Sequence, residues 1–165
     1  MRGIPGIRRS AGALVLALAS LASAGLADVN ARDLVRWRPI AGGEAEARKT
    51  GKPVLYFFTA AWCGPCHLLE QQVFSKKEIA DQIARDFVPV LVRDQMRETG
   101  TNAPEMLRLA DRYGLRGFPT LVVARPGVAR NVTMEGWDGP SRAVEFLRTA
   151  RQRLLVVEKA AKKRA

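Results

Sequence analysis

Cysteine and histidine are scarce in this chain: its 165 residues include only two cysteines, Cys63 and Cys66, and a single histidine, His67. A bridge between cysteines three positions apart closes too small a loop to constrain the unfolded chain, which excludes a disulfide framework as the reason for keeping them. No cysteine lies near the small-residue sites that end the N-terminal apolar stretch, so a lipid-modified anchor is not expected there. Acidic residues are absent from positions 1–27, where three arginines stand unopposed. Aromatic residues are only 7% of the chain. No aromatic-rich RNA motif or recognition-helix pattern accompanies the positive charge, so nucleic acid is not an expected partner.

The N-terminus holds Arg2, Arg8 and Arg9, then an uncharged stretch from Ser10 to Ala27 whose apolar heart is residues 13–19, then small residues at Ala22, Ala24, Gly25 and Ala27. A basic start, a short apolar segment and a small-residue cleavage site spell a signal peptide. The apolar run is short for spanning a bilayer. The apolar residues expected after a twin-arginine pair do not follow Arg8-Arg9. Cleavage after Ala27 is preferred over Ala24. The expected organisation is a signal peptide over 1–27, one domain over 28–158 and a basic tail over 159–165, in an exported, periplasmic chain. Removing residues 1–27 takes the formal charge from +11 to +8. The remainder reads as a solvated basic face and a frayed tail at Lys159, Lys162, Lys163 and Arg164, a charge that favours acidic partner proteins. An exported chain that keeps only a Cys-x-x-Cys pair uses it for chemistry.

The pair sits in Trp62-Cys63-Gly64-Pro65-Cys66-His67, directly after the apolar run Val54-Leu55-Tyr56-Phe57-Phe58. That run is the pattern of a strand buried on both faces. Pro65 suits the first turn of a helix, so the dithiol is expected where a strand gives way to a helix. Around this centre the sequence predicts a short strand near Leu34–Trp37 stopped by Pro39, and a helix from Glu44 to Lys49 opened by Gly42-Gly43 and closed by Gly51. Helical residues follow from His67 to Arg85, broken near Phe74-Ser75, and a buried strand over Phe87–Arg93. A loop over Asp94–Ala103 precedes a helix from Pro104 to Tyr113. Thr120–Ala124 and Asn131–Glu135 form a hairpin. A helix from Ser141 to about Glu158 closes an α/β domain with a mixed sheet.

Trp62-Cys63-Gly64-Pro65-Cys66 and Tyr113-Gly114-Leu115-Arg116-Gly117-Phe118-Pro119-Thr120, in that order, resemble the two signature segments of thioredoxin. More narrowly, Gly51-Lys52-Pro53-Val54, residues 69–75 and Phe87-Val88-Pro89-Val90 resemble exported thioredoxin-like proteins related to the C-terminal domain of the membrane thiol:disulfide interchange reductase. The resemblance spans about Val35 to Leu155. It implies a thioredoxin fold, a central mixed β-sheet flanked by helices, and a thiol:disulfide oxidoreductase. No cofactor is implied, because the redox group is the Cys63–Cys66 pair itself. At a helix N-terminus the thiolate of Cys63 is favoured, which makes it the nucleophile, with Cys66 as the resolving thiol. Gly64 and Pro65 set the turn between them and, in the family, go with a reducing poise. Pro119 is the expected cis-proline, Phe118 shapes specificity, and Trp62 offers an apolar contact surface over the dithiol. Protein disulfides are the implied substrates, a membrane electron donor the implied partner, and a monomer the expected state. One departure stands out: Phe57 occupies the position, six before the first cysteine, where many thioredoxins bury an Asp that assists the resolving thiol. Glu70 can contribute through the helix, though a surface carboxylate is the plainer reading.

The same residues carry two rival readings. Cys-Gly-Pro-Cys-His also spells a c-type haem attachment motif, with His67 as the iron ligand. The dithiol and His67 together also offer soft ligands to a copper carrier, with no metal site otherwise indicated.

Overall fold

Seven consecutive residues of this chain have no polar face, and the fold gives neither face to water. In the computed structural model, which describes residues 33–164, strand β1 (Val54–Ala60) is buried along its whole length. It lies between β2 (Val88–Asp94), parallel to it, and β3 (Thr120–Ala124), antiparallel to it; β4 (Asn131–Glu135) pairs with β3 as the predicted hairpin. The strand order is β2-β1-β3-β4. The signal-peptide and cleavage expectations fall outside the described residues.

Alternation along β1 feeds two cores. Leu55 and Phe57 point into one with Leu69, Phe74 and Ile83, beside helices α2 (Gly64–Leu69), α3 (Lys77–Asp86) and α6 (Pro140–Arg164). Val54, Tyr56 and Phe58 point into the other with Met106, Leu109 and Tyr113, beside α1 (Ile40–Thr50) and α5 (Pro104–Tyr113). Burying one such side chain contributes about 1.5–3 kcal/mol. A strand apolar on both sides is thus what a helix-sheet-helix sandwich requires. Among the described residues no helix is long and apolar enough to cross a membrane.

Four expectations need correction. The strand near Leu34–Trp37 does not form: the Asp33 carboxylate accepts from Val35 N at 2.8 Å and Trp37 N donates back to Val35 O at 3.0 Å, so the segment curls and keeps one bridge, Arg38 to Val90. Helix α1 begins at Ile40, and Gly43 lies inside it, buried, because a side chain there would run into Val90. The loop over 94–103 contains a helical turn, α4 (Met96–Thr99), closed by Gly100 at φ 74°. Helix α6 continues through the basic residues to Arg164 instead of fraying at 159. The helical break near Phe74 is present as a π-helical stretch, Glu70–Phe74, followed by a turn before α3.

Candidate active site

β1 ends at Ala60 and α2 begins at Gly64, so the three residues between them, including Trp62 and Cys63, sit where a buried strand exits the sheet. Cys63 is the N-cap of α2, with extended backbone, and its Sγ accepts from Cys66 N at 3.2 Å. Pro65 occupies the first turn, where a missing N–H goes unnoticed. The two sulfurs are bonded to each other at 2.08 Å. Cys63 is 3% exposed and Cys66 fully buried, while Gly64 and Pro65 are exposed.

Opposite this turn, the peptide between Phe118 and Pro119 is cis. The loop is pinned from three sides. Arg116 grips Glu135 of β4 at 2.8 Å, Thr120 Oγ1 donates to Gly117 O at 2.8 Å, and Gly136 N donates to Pro119 O at 2.8 Å. Phe118 reaches Trp62 edge-to-face, ring centroids 5.8 Å apart. Trp62 is 43% exposed and so is not part of the core. Its other neighbour is Arg97 of α4, whose guanidinium carbon lies 3.8 Å from the ring centroid.

Phe57 is 0% exposed and forms an aromatic cluster with Trp37 (5.5 Å) and Phe74 (5.2 Å). The nearby half-buried carboxyl belongs instead to Asp33, which accepts from the Trp37 indole and from Val35 N. Burial pushes its pKa up to about 6, against the lowering effect of those two hydrogen bonds, and the Glu70 charge adds to the rise. Sequence reasoning missed Asp33; the Asp-x-Val spacing, which lets a short carboxylate cap an amide two residues on, was the available signal.

His67 points its Nε2 at Ala61 O, 2.9 Å away, and its Nδ1 at Glu70, 3.3 Å away. The carbonyl can only accept, so Nε2 carries a proton. These two contacts, Ala61 first, raise the His67 pKa above its ordinary value. Glu70 is therefore a surface partner of His67. An iron-ligating role for His67 would have to break one of these contacts, and the haem reading also needs two cysteines that here bond each other. Among the described residues, no three His, Cys, Asp or Glu side chains converge as a metal site.

A sequence model described as "Thioredoxin-like domain" matches residues 43–149. The chain belongs to the thioredoxin-like family. Among curated relatives, a thioredoxin of Acidithiobacillus ferridurans is 34% identical over 84 residues, 51% of this chain and 67% of that protein. A thiol:disulfide interchange protein, DsbD 1 of Pseudomonas aeruginosa, is 36% identical over 85 residues, 50% of this chain but 13% of its own length. The chain thus spans about two-thirds or less of these relatives. Among solved structures, a DsbH oxidoreductase aligns at TM-score 0.57 with 21% identity, covering 74% of this chain and 88% of that one. A thioredoxin from Thermus thermophilus aligns at 0.53 with 24% identity, covering 70% and 85%. At these identities the structures establish the thioredoxin fold. Family and bonded Cys63–Cys66 pair together make this a thioredoxin-like thiol:disulfide oxidoreductase.

Proposed function

We propose that this oxidoreductase is exported and reduces protein disulfides. The observation that carries the reading is the Cys63–Cys66 bond at the N-cap of α2, with Gly64-Pro65 exposed between the sulfurs and the Trp62–Phe118 contact beside them. The Cys63 thiolate attacks one sulfur of a substrate disulfide, forming a mixed disulfide and releasing a thiolate that takes a proton. The Cys66 thiolate then attacks Cys63 Sγ, closing the internal bond and freeing the second substrate thiol. Two electrons pass from the dithiol to the substrate. Pro119 and Phe118 line the place where an extended substrate segment docks, and Trp62 gives it an apolar surface. In an oxidising compartment the spent disulfide needs a membrane electron donor, which returns the electrons through the same exchange in reverse. The basic start and small-residue sites of residues 1–27 support export, and the DsbD 1 relationship supports disulfide exchange as the task.

The deciding experiment is the reduction potential of the pair together with its redox state in cells. A value near that of thioredoxin, about −270 mV, with the pair held reduced, supports the reading. A value near about −120 mV with the pair held oxidised makes the protein an oxidant instead. N-terminal sequencing of the mature protein checks export, with Asp28 as the expected first residue.

A further inference from the structure

The turn of helix at Met96–Thr99 is anchored more firmly than an exposed loop requires. Asp94, the last residue of β2, is buried and accepts from Asn102 Nδ2 at 2.6 Å, while Asn102 Oδ1 accepts from Gln95 N at 2.6 Å. Both the nitrogen and the oxygen of the buried Asn102 side-chain amide are thereby used to close the loop onto the strand end. The single Thr99 hydroxyl proton has two carbonyl acceptors within reach there, Gln95 O at 3.0 Å and Thr101 O at 2.9 Å. In the parallel register Asp94 lies opposite Ala60, three residues before Cys63. The clasp therefore fixes α4 at the edge of the sheet from which the dithiol emerges, and there Arg97 covers the Trp62 ring.

A guanidinium held over a ring by its face keeps its in-plane N–H donors, and those donors match a carboxylate in a fork. Among the described residues no carboxylate ion-pairs with Arg97. The neighbouring cation on β2, Arg93, is also exposed and without an ion pair among them, and lines a cleft with His67 and Glu70. The one carboxylate of that cleft is engaged by His67. By contrast, the cation of the facing loop, Arg116, is already neutralised by Glu135.

We propose that Arg97 is a specificity-determining residue: stacked on Trp62 and held by the Asp94–Asn102 clasp, it selects disulfides flanked by a carboxylate and seats that carboxylate beside the dithiol. The inference rests on the disulfide-exchange reading above but not on the direction of electron flow. It goes beyond the general positive charge of the chain, because it assigns the preference to one side chain at the site.

The test uses three cyclic peptides identical except for Glu-Glu, Gln-Gln or Lys-Lys beside one cysteine, with KM and kcat measured separately and in both redox directions. Wild-type protein is expected to favour the Glu peptide over the Lys peptide in KM by about fivefold or more at low salt, and by much less at 0.5 M salt, as a solvent-accessible ion pair requires. Arg97→Lys keeps the sign of the preference, Arg97→Gln removes it and Arg97→Glu inverts it. Because each variant is read as a ratio of peptides, a general loss of activity does not imitate this pattern, and a purely structural role for Arg97 moves all three peptides together. Equal KM values in wild-type protein, or a ratio unchanged in Arg97→Gln and Arg97→Glu, overturn the inference while leaving the oxidoreductase standing. No exchange with any peptide in either direction overturns both.

Discussion

Replacing Phe57 by Asp should fail to restore the carboxyl found at this position in many thioredoxins. Phe57 is fully enclosed, and its ring contacts Trp37 and Phe74 at centroid distances of 5.5 and 5.2 Å. Losing a buried Phe costs about 3–5 kcal/mol through lost transfer energy and the cavity left behind. A carboxyl put in its place among rings, without a donor, adds roughly 1–3 kcal/mol even when neutral. The sum, about 4–8 kcal/mol, is comparable with the whole stability of a domain, about 5–15 kcal/mol. In urea, with a slope of about 1–3 kcal/mol/M, the midpoint should fall by more than about 1 M, or folding should be lost. Phe57→Leu, which keeps most of the volume, should cost about 1–3 kcal/mol, mainly the two ring pairs. The pH dependence separates the two variants. A buried Asp has its pKa raised, so the folded state holds a proton that the unfolded state releases above about pH 4. The gap between Phe57→Asp and Phe57→Leu should therefore shrink as pH falls toward 4. Urea titrations by far-UV circular dichroism at pH 4.5 and 7 measure all of this. A Phe57→Asp protein within about 1 kcal/mol of the parent at pH 7 would refute the reasoning, and so would one that resolves its Cys63 mixed disulfide faster than the parent.

Three further outcomes are expected. Asp33, with its pKa pushed up to about 6 by burial, makes the folded state hold a proton between about pH 4 and 6, so stability should fall as pH rises through that window and level off above it. Asp33→Asn should flatten this slope, a change on the order of 1–2 kcal/mol once solvent screening is allowed for, read from thermal midpoints at pH 4.5 and 7; an unchanged slope sinks the assignment. Glu70→Gln should lower the His67 pKa, because the Glu70 carboxylate helps to raise it through its hydrogen bond and its charge, and the shift is visible in an NMR titration of the single imidazole; an unmoved titration refutes the contact. Gly43→Ala should destabilise by about 1–3 kcal/mol, because the new methyl meets Val90 and stands 3.2 Å from Arg38 Cβ; a neutral effect in urea would mean that α1 sits farther from β2.

The parts legible in the sequence are those governed by local chemistry. The unbroken apolar run of β1, Pro65 in a first helical turn, the α5 helix opened by Pro104 and the β3–β4 hairpin each carry their cause within a few residues, and all lie where expected. The Cys63–Cys66 bond and the Phe118–Pro119 cis peptide were legible only through the resemblance to thioredoxin. What was missed depends on distant partners. Residues 94–103 are polar and read as loop, but Asn102 reaching back to Asp94 organises a turn of helix whose only local sign was Gly100. Leu34–Trp37 has strand-like composition, yet Asp33 turns the backbone away from the sheet edge and Trp37 packs on Phe57. The end of α6 looks like a charged tail, but Ala, Lys and Arg are good helix formers, and Glu158 is tied to Arg125 at 3.0 Å across the molecule.

The pinning of the 116–120 loop bears on how a peptide is read there. Two of its carbonyls are already taken, that of Gly117 by the Thr120 hydroxyl and that of Pro119 by Gly136 N–H. Phe118, between them, has neither its amide nor its carbonyl engaged by backbone among the described residues, and the Gly117 amide is likewise without a backbone partner among them. A strand laid alongside finds a short run of free groups at Gly117 and Phe118 instead of a full edge. Under the proposed function, so short a main-chain grip leaves the choice of one peptide over another to side chains around the sulfur.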